Sequence, residues 1–254
     1  MESVDYHNAL AALAWQIELG ADESIADAPV DRYDVPAAVA KPAAKAAAPV
    51  GVAPPVKEID PVAIARAAAE AAQDLEGLKR ALEAFDHCDL KLGARNLVFS
   101  DGMPGARVMI VTETPTRQED REGRPFAGRA GQLLDKMLSA IDLSRDSSIY
   151  TSSVLPWRTP QDRDPKPEEI AMMLPFLHRH IALAQPDVLV LMGNQSCQAL
   201  LGKRGITRLR GEWTEVLGKP ALPMLHPEQL MRTPLAKRDS WADLLSLKAR
   251  LADG

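Results

Sequence analysis

Four short apolar runs mark the second two-thirds of the chain, and each ends on a polar residue at what reads as a strand tip. Arg107-Val-Met-Ile-Val111 leads to Glu113, Ile149-Tyr-Thr-Ser-Ser-Val-Leu155 closes near Ser153, Asp187-Val-Leu-Val-Leu-Met-Gly193 runs into Asn194, and Ala221-Leu-Pro-Met-Leu225 delivers His226 and Pro227. The first run is too short and too β-branched for a helix and predicts a buried parallel strand. Between the runs, apolar residues recur at helical spacing in Gly131–Ile141, Glu168–Leu183 and Ser196–Leu201. Alternating strand and helix predicts an α/β fold: a small four-stranded parallel sheet between helical layers, with right-handed crossovers. Ligands of such sheets bind outside the carboxyl ends of strands, which makes Glu113 and His226 candidates. A solvated loop acid and a structural histidine are the plainer alternatives.

The N-terminal third has another pattern. Asn8–Gly20 places Leu10, Leu13 and Ile17 on one helical side and stops at glycine, predicting a short helix within an arm of residues 1–34. Residues 35–57 are almost wholly alanine, proline, valine and lysine, a composition that buries little and predicts a flexible linker. Asp60-Pro61 then opens an alanine-rich helix expected to run to about Ala84, with aspartate as cap and proline in the first turn. This segment, 58–86, leads into a core domain of 87–254. The first helix is expected either to dock on the body or to recruit a partner. No apolar stretch is long enough to span a membrane.

Net charge is −5, with 30 Lys+Arg against 35 Asp+Glu, which at first argues against a polyanionic partner. The balance is uneven. Residues 1–86 hold 15 acids and 7 bases, and the rest holds 20 acids and 23 bases, so the second part is positive. Its bases cluster at Lys203, Arg204, Arg208 and Arg210, and again at Arg232, Lys237 and Arg238, on either side of His226. Each cluster is either a solvated face or a phosphate clamp. Two cysteines, Cys88 and Cys197, and no evident signal peptide predict a reducing, cytoplasmic setting and a monomer without disulfides.

A longer series of motifs follows the first strand: Thr112-Glu113-Thr114-Pro115-Thr116, Glu119-Asp120, Gly123-Arg124-Pro125-Phe126, Gly128-Arg129-Ala130-Gly131 and Gln132-Leu133-Leu134-Asp135. Arg163-Asp164-Pro165, Glu168-Glu169-Ile170, Leu209-Arg210-Gly211, His226-Pro227, Leu230 and Lys237 come after it in order. In this series the region from about Cys88 to Leu251 resembles the family 4 uracil-DNA glycosylases. The resemblance implies hydrolysis of the N-glycosidic bond of a deaminated base in DNA. Glu113 would position water and His226 would support the leaving base. Phe126 would stack the extruded base, unless it only plugs the core, and Thr114, Ser153 and Asn194 would complete the base site. DNA would be held by Arg129, Arg208, Arg210, Arg232 and Lys237, with Leu230 and Met231 as a wedge.

Departures from the family pattern qualify that expectation. Thr112 and Thr116 replace glycines where the family brings bare backbone close to the substrate. Ser153 replaces an asparagine whose amide reads the uracil edge at two points, which a hydroxyl cannot do. Many relatives hold an iron–sulfur cluster on four cysteines; of those positions only Cys88 is a thiol, and Phe85, Trp157 and Met173 fill the others. No cluster and no metal is therefore expected, with Trp157 as core filling or, alternatively, a DNA contact. A catalytically weak homologue that binds DNA or a repair partner is the alternative function. A nucleotide-binding α/β domain would need a glycine-rich strand-to-helix fingerprint that the chain lacks.

Overall fold

The computed structural model describes residues 2–19 and 60–252. In chain order the helices are α1 (Glu2–Glu18), α2 (Pro61–Ala71), α3 (Leu75–Glu83), α4 (Leu90–Gly93), α5 (Arg117–Glu122), α6 (Arg129–Ser139), α7 (Pro167–Ala184), α8 (Asn194–Leu201), α9 (Ile206–Leu209), α10 (Pro227–Arg232) and α11 (Lys237–Ala252). The strands are β1 (Ser100–Gly102), β2 (Val108–Thr112), β3 (Ile149–Ser153), β4 (Val188–Met192), β5 (Thr214–Val216) and β6 (Lys219–Met224). Two compact units result, residues 1–57 and 58–254. In the first, α1 begins six residues before the segment read from the sequence; Gly20 and the linker 35–57 lie outside the described residues.

The second unit carries a six-stranded sheet in the order β1-β3-β2-β4-β6-β5. Its four central strands are parallel, as the apolar runs predict, in register Val111↔Ser152 between β2 and β3, Ile110↔Val190 between β2 and β4, and Val190↔Leu222 between β4 and β6. The antiparallel edge strands β1 and β5 are additions to that expectation. Each is three residues long and none of the six except Val216 is buried, so neither has an apolar run to betray it.

Alternation along the central strands builds two cores. Met109, Val111, Leu189 and Leu191 face a cluster with Ala65, Leu78, Phe176 and Ile181 from α2, α3 and α7. Val108, Ile110, Val190 and Leu222 face the opposite cluster with Leu134, Leu138, Leu244 and Leu247 from α6 and α11. Both faces of the sheet are thus covered, which explains why β2, β3 and β4 are buried along their whole length.

The single helix expected from Asp60 to Ala84 is two helices. Asp60 caps α2 as predicted, accepting the Val62 and Ala63 N–H groups at 2.9 and 3.2 Å. The chain then turns extended at Ala72 (φ −71°, ψ 126°), and Asp74 caps α3 by accepting the Gly77 N–H at 2.6 Å. Arg179 of α7 donates Nε and a terminal nitrogen to the freed Ala72 carbonyl, at 3.0 and 2.6 Å. Alanine spacing favours helix throughout, and this tertiary contact stabilises the break.

Candidate active site

The carboxyl ends of β2 and β6 deliver Glu113 and His226 to one cleft of about 510 Å³. Glu113 leaves β2 toward the N-terminus of α8. The Gln195 N–H donates to its Oε1 at 3.1 Å, so the positive end of a helix holds the carboxylate. The turn that permits this is Gly193, at φ +100°, where a Cβ would lie 2.4 Å from the Glu113 carboxyl carbon. Burial raises the Glu113 pKa above the ordinary carboxylate value; the amides of Gln195 and Asn194 counteract part of that, while Asp164 and Glu228 add to it.

His226 caps α10. Its Nδ1 accepts the Glu228 N–H at 3.3 Å, and its Nε2 lies 3.0 Å from Thr112 Oγ1. Because a backbone amide can only donate, Nδ1 is unprotonated, and the neutral ring carries its hydrogen on Nε2, donated to the threonine hydroxyl. Burial lowers the imidazole pKa to about 4, with the charge of Arg232 in the same direction. Thr112, one of the two threonines in place of glycine, therefore occupies the donor that a base would use. Thr116, the other, shapes the backbone instead, since its hydroxyl and Glu119 form a reciprocal capping box at the start of α5.

Phe126 does not line the cleft. It sits at φ +53° with 1% of its surface exposed, and its ring stacks on the His226 imidazole at 5.6 Å between centroids and 16° between planes. Glu119 fixes this uncommon backbone: Oε1 accepts the Phe126 N–H at 2.5 Å, and Oε2 accepts the Thr116 N–H and hydroxyl at 2.7 and 2.8 Å. The ring expected to hold a base thus backs the imidazole instead, in the core-plug position.

Two further base-site residues point elsewhere. Ser153 donates its hydroxyl to the Leu155 carbonyl at 2.7 Å, with the Val98 carbonyl 3.4 Å away, and is not part of the cleft lining. Asn194 accepts the Gly205 and Ile206 N–H groups through Oδ1 at 3.0 and 2.9 Å, which caps α9. Thr114 does line the cleft, with its N–H and hydroxyl both donated to Gln195 Oε1 at 2.9 Å.

Among the expected DNA-binding residues, Arg129, Met231 and Arg232 line the cleft, and Arg208 and Lys237 are exposed. Arg210 and Leu230 require correction. The Arg210 guanidinium is committed to the Asp243 carboxylate, whose side chain is 1% exposed, and to the Asp239 carbonyl, while Leu230 is core. Sequence reading missed Gln195 and Glu119, whose positions are set by contacts across 81 and 7 residues. It also missed Leu235, which is 91% exposed between Arg232 and Lys237, where a lone apolar residue among charges is the available signal.

The four positions matching cluster ligands in the resemblance lie outside the cleft lining. Phe85, Cys88, Trp157 and Met173 are all buried in the apolar cluster beneath α7, and Phe85 packs edge-on to Phe176 at 5.4 Å. One thiol among three apolar side chains does not fit a four-thiolate cluster. Among the described residues no group of three or more His, Cys, Asp or Glu side chains is placed to hold a metal.

Residues 99–245 match the family model of the Uracil DNA glycosylase superfamily. A Type-4 uracil-DNA glycosylase of Thermotoga maritima is 38% identical over 148 residues, 57% of this chain and 77% of that protein. One of Sulfurisphaera tokodaii is 34% identical over 173 residues, covering 63% and 77%, and one of Archaeoglobus fulgidus 32% over 180 residues, covering 67% and 90%. With the sheet order, the shared cleft of Glu113 and His226 and these matches, the chain belongs to the uracil-DNA glycosylase superfamily.

Proposed function

We propose that this chain excises uracil from DNA by hydrolysing its N-glycosidic bond and leaves an abasic site. The observation that carries the reading is the single cleft in which a helix-held carboxylate, Glu113, and a neutral Nε2–H imidazole, His226, are brought together from two strand ends. Bond cleavage builds positive charge on the sugar and negative charge on the departing pyrimidine. Glu113 accepts a hydrogen bond from the attacking water and opposes the sugar's charge. His226 donates Nε2–H to the departing carbonyl oxygen, and with a pKa of about 4 it does so as a hydrogen-bond donor and not as an imidazolium acid. Phe126, stacked behind the ring, fixes its plane. Arg129 and Arg232 hold phosphates at the rim, and Met231 and Leu235 are the apolar groups available to fill the vacated stack.

The test is incubation with single- and double-stranded oligonucleotides containing uracil, followed by alkaline cleavage. Strand scission that disappears in Glu113→Ala and His226→Ala supports the reading. Binding without scission supports a second one, a DNA-binding homologue of low turnover, which the Thr112 hydroxyl on His226 Nε2 favours.

The iron–sulfur cluster that the resemblance implies is absent on this reading, since three of its four positions carry apolar side chains packed into core. The purified protein is accordingly expected to lack visible iron–sulfur absorbance; a brown preparation with sulfide-dependent bands would overturn the proposal. A cytoplasmic monomer is part of the same proposal; Cys88 and Cys197 are buried and unpaired, as a reducing compartment allows, and among the described residues no helix is long and apolar enough to cross a membrane. Helix α1 is proposed as the segment that docks or recruits a partner.

A further inference from the structure

We infer that Gln195 reads the extruded base, donating a hydrogen bond to the carbonyl oxygen that deamination creates in place of an amino group. This rests on the base-excision reading and names the residue that sets its substrate class. The orientation of the amide is fixed by its neighbours. The Thr114 N–H is an obligate donor, so the atom it meets at 2.9 Å is Oε1, and the Thr114 hydroxyl takes the second lone pair of that oxygen at 2.9 Å. With its acceptor capacity used, Gln195 offers the cleft only donors. Nε2 spends one hydrogen on Asp164 Oδ1 in a long 3.3 Å bond and keeps the other.

Gln195 is also bound in place. It stands in the first turn of α8, lines the same cleft as Glu113 and His226, and its own N–H holds the Glu113 carboxylate at 3.1 Å. A donor fixed this way distinguishes two edges. Facing uracil O4 or hypoxanthine O6 it forms a hydrogen bond; facing the amino group of cytosine or adenine it sets donor against donor. With Ser153 turned to the Leu155 carbonyl, no residue of the expected two-point contact reads the ring N–H. The selectivity is therefore for a carbonyl at the deaminated position and tolerates either ring, pyrimidine or purine.

Binding of duplexes with 2′-fluoro nucleotides tests this, because the fluorine disfavours sugar cation formation and holds the base uncleaved. The native chain is expected to bind 2′-fluorodeoxyuridine on the order of tenfold more tightly than 2′-fluorodeoxycytidine, and 2′-fluorodeoxyinosine likewise over 2′-fluorodeoxyadenosine. Gln195→Leu removes both preferences. Gln195→Glu keeps an acceptor for Thr114 but offers the base none of the donors, and reverses the preference toward the amino bases. Unchanged affinity of both variants for an abasic-site duplex shows that the cleft is intact. A uracil preference that survives in both variants, or is missing from the native chain, overturns the inference. Loss of the inosine preference alone overturns the tolerance of ring type. Preferences present without strand scission from deoxyuridine defeat the hydrolytic reading and leave the role of Gln195 standing.

Discussion

At the scale of single residues the site turns on protonation states set by burial. His226 is neutral at any pH near 7, because its pKa of about 4 lies below the value of 6.5 it would have in solvent. Glu113 is displaced in the other direction. On the proposed mechanism activity needs the carboxylate, so kcat/KM is expected to fall on acidification through the raised Glu113 pKa. An inflection near 6.5 that persists in the residual activity of Glu113→Gln would show that the imidazole is not the buried neutral donor described. Thr112 gives a second prediction. Thr112→Val keeps the shape and removes the hydroxyl that accepts Nε2–H. Uracil release under single-turnover conditions is expected to rise about tenfold, while stability drops by about 1 kcal/mol for the donor left unpaired in the free protein. An unchanged rate would mean that the hydroxyl does not compete with the base.

At the scale of elements, helix termini do most of the positioning. The first turn of α8 holds Glu113, α10 begins at His226, and the capping box of α5 fixes Glu119 on the Phe126 backbone. Gly193 links strand to helix where the space for a side chain is already taken by the Glu113 carboxyl. Gly193→Ala is therefore expected to lower kcat/KM by roughly 100-fold through displacement of the carboxylate, an effect of the size that about 1 Å of misplacement causes. Activity within threefold of native would remove the α8 turn from the mechanism. The helix break at Ala72 belongs to the same scale. Its alanines are helical by propensity, and the Asp74 cap of α3 together with Arg179 of α7 on the Ala72 carbonyl stabilises the alternative.

At the scale of the whole molecule, the two cores and the ion pairs that close them set stability. Arg210 ties the segment after α9 to α11 through Asp243, whose pKa is raised by burial and lowered in turn by the guanidinium beside it. Arg210→Met would leave that carboxylate buried without a counter-charge. The expected cost is about 3 kcal/mol, or on the order of 10 °C in Tm, with little change in duplex affinity at fixed salt. A large loss of affinity with unchanged Tm would return Arg210 to the DNA interface. The positive balance of residues 87–254 is thus only partly available for phosphates, because several of its arginines are consumed in such pairs.

Periodicity by itself determined the four parallel strands, the helices α6, α7 and α8 between them but not α11, and the delivery of Glu113 and His226 to one edge, because a sheet buried on both faces must write continuous apolar runs whose ends are its ligand edge. The caps at Asp60 and Thr116 were likewise within reach of local sequence, since the bonds they make are two or three residues long. The edge strands, the break at Ala72, the inward turn of Ser153, the burial of Leu230 and the stacking of Phe126 on His226 were decided only by tertiary structure. Each of these depends on a partner far along the chain or on which side of an element faces its neighbour, and a side chain's direction of hydrogen bonding is a property of the packed molecule and not of its sequence position.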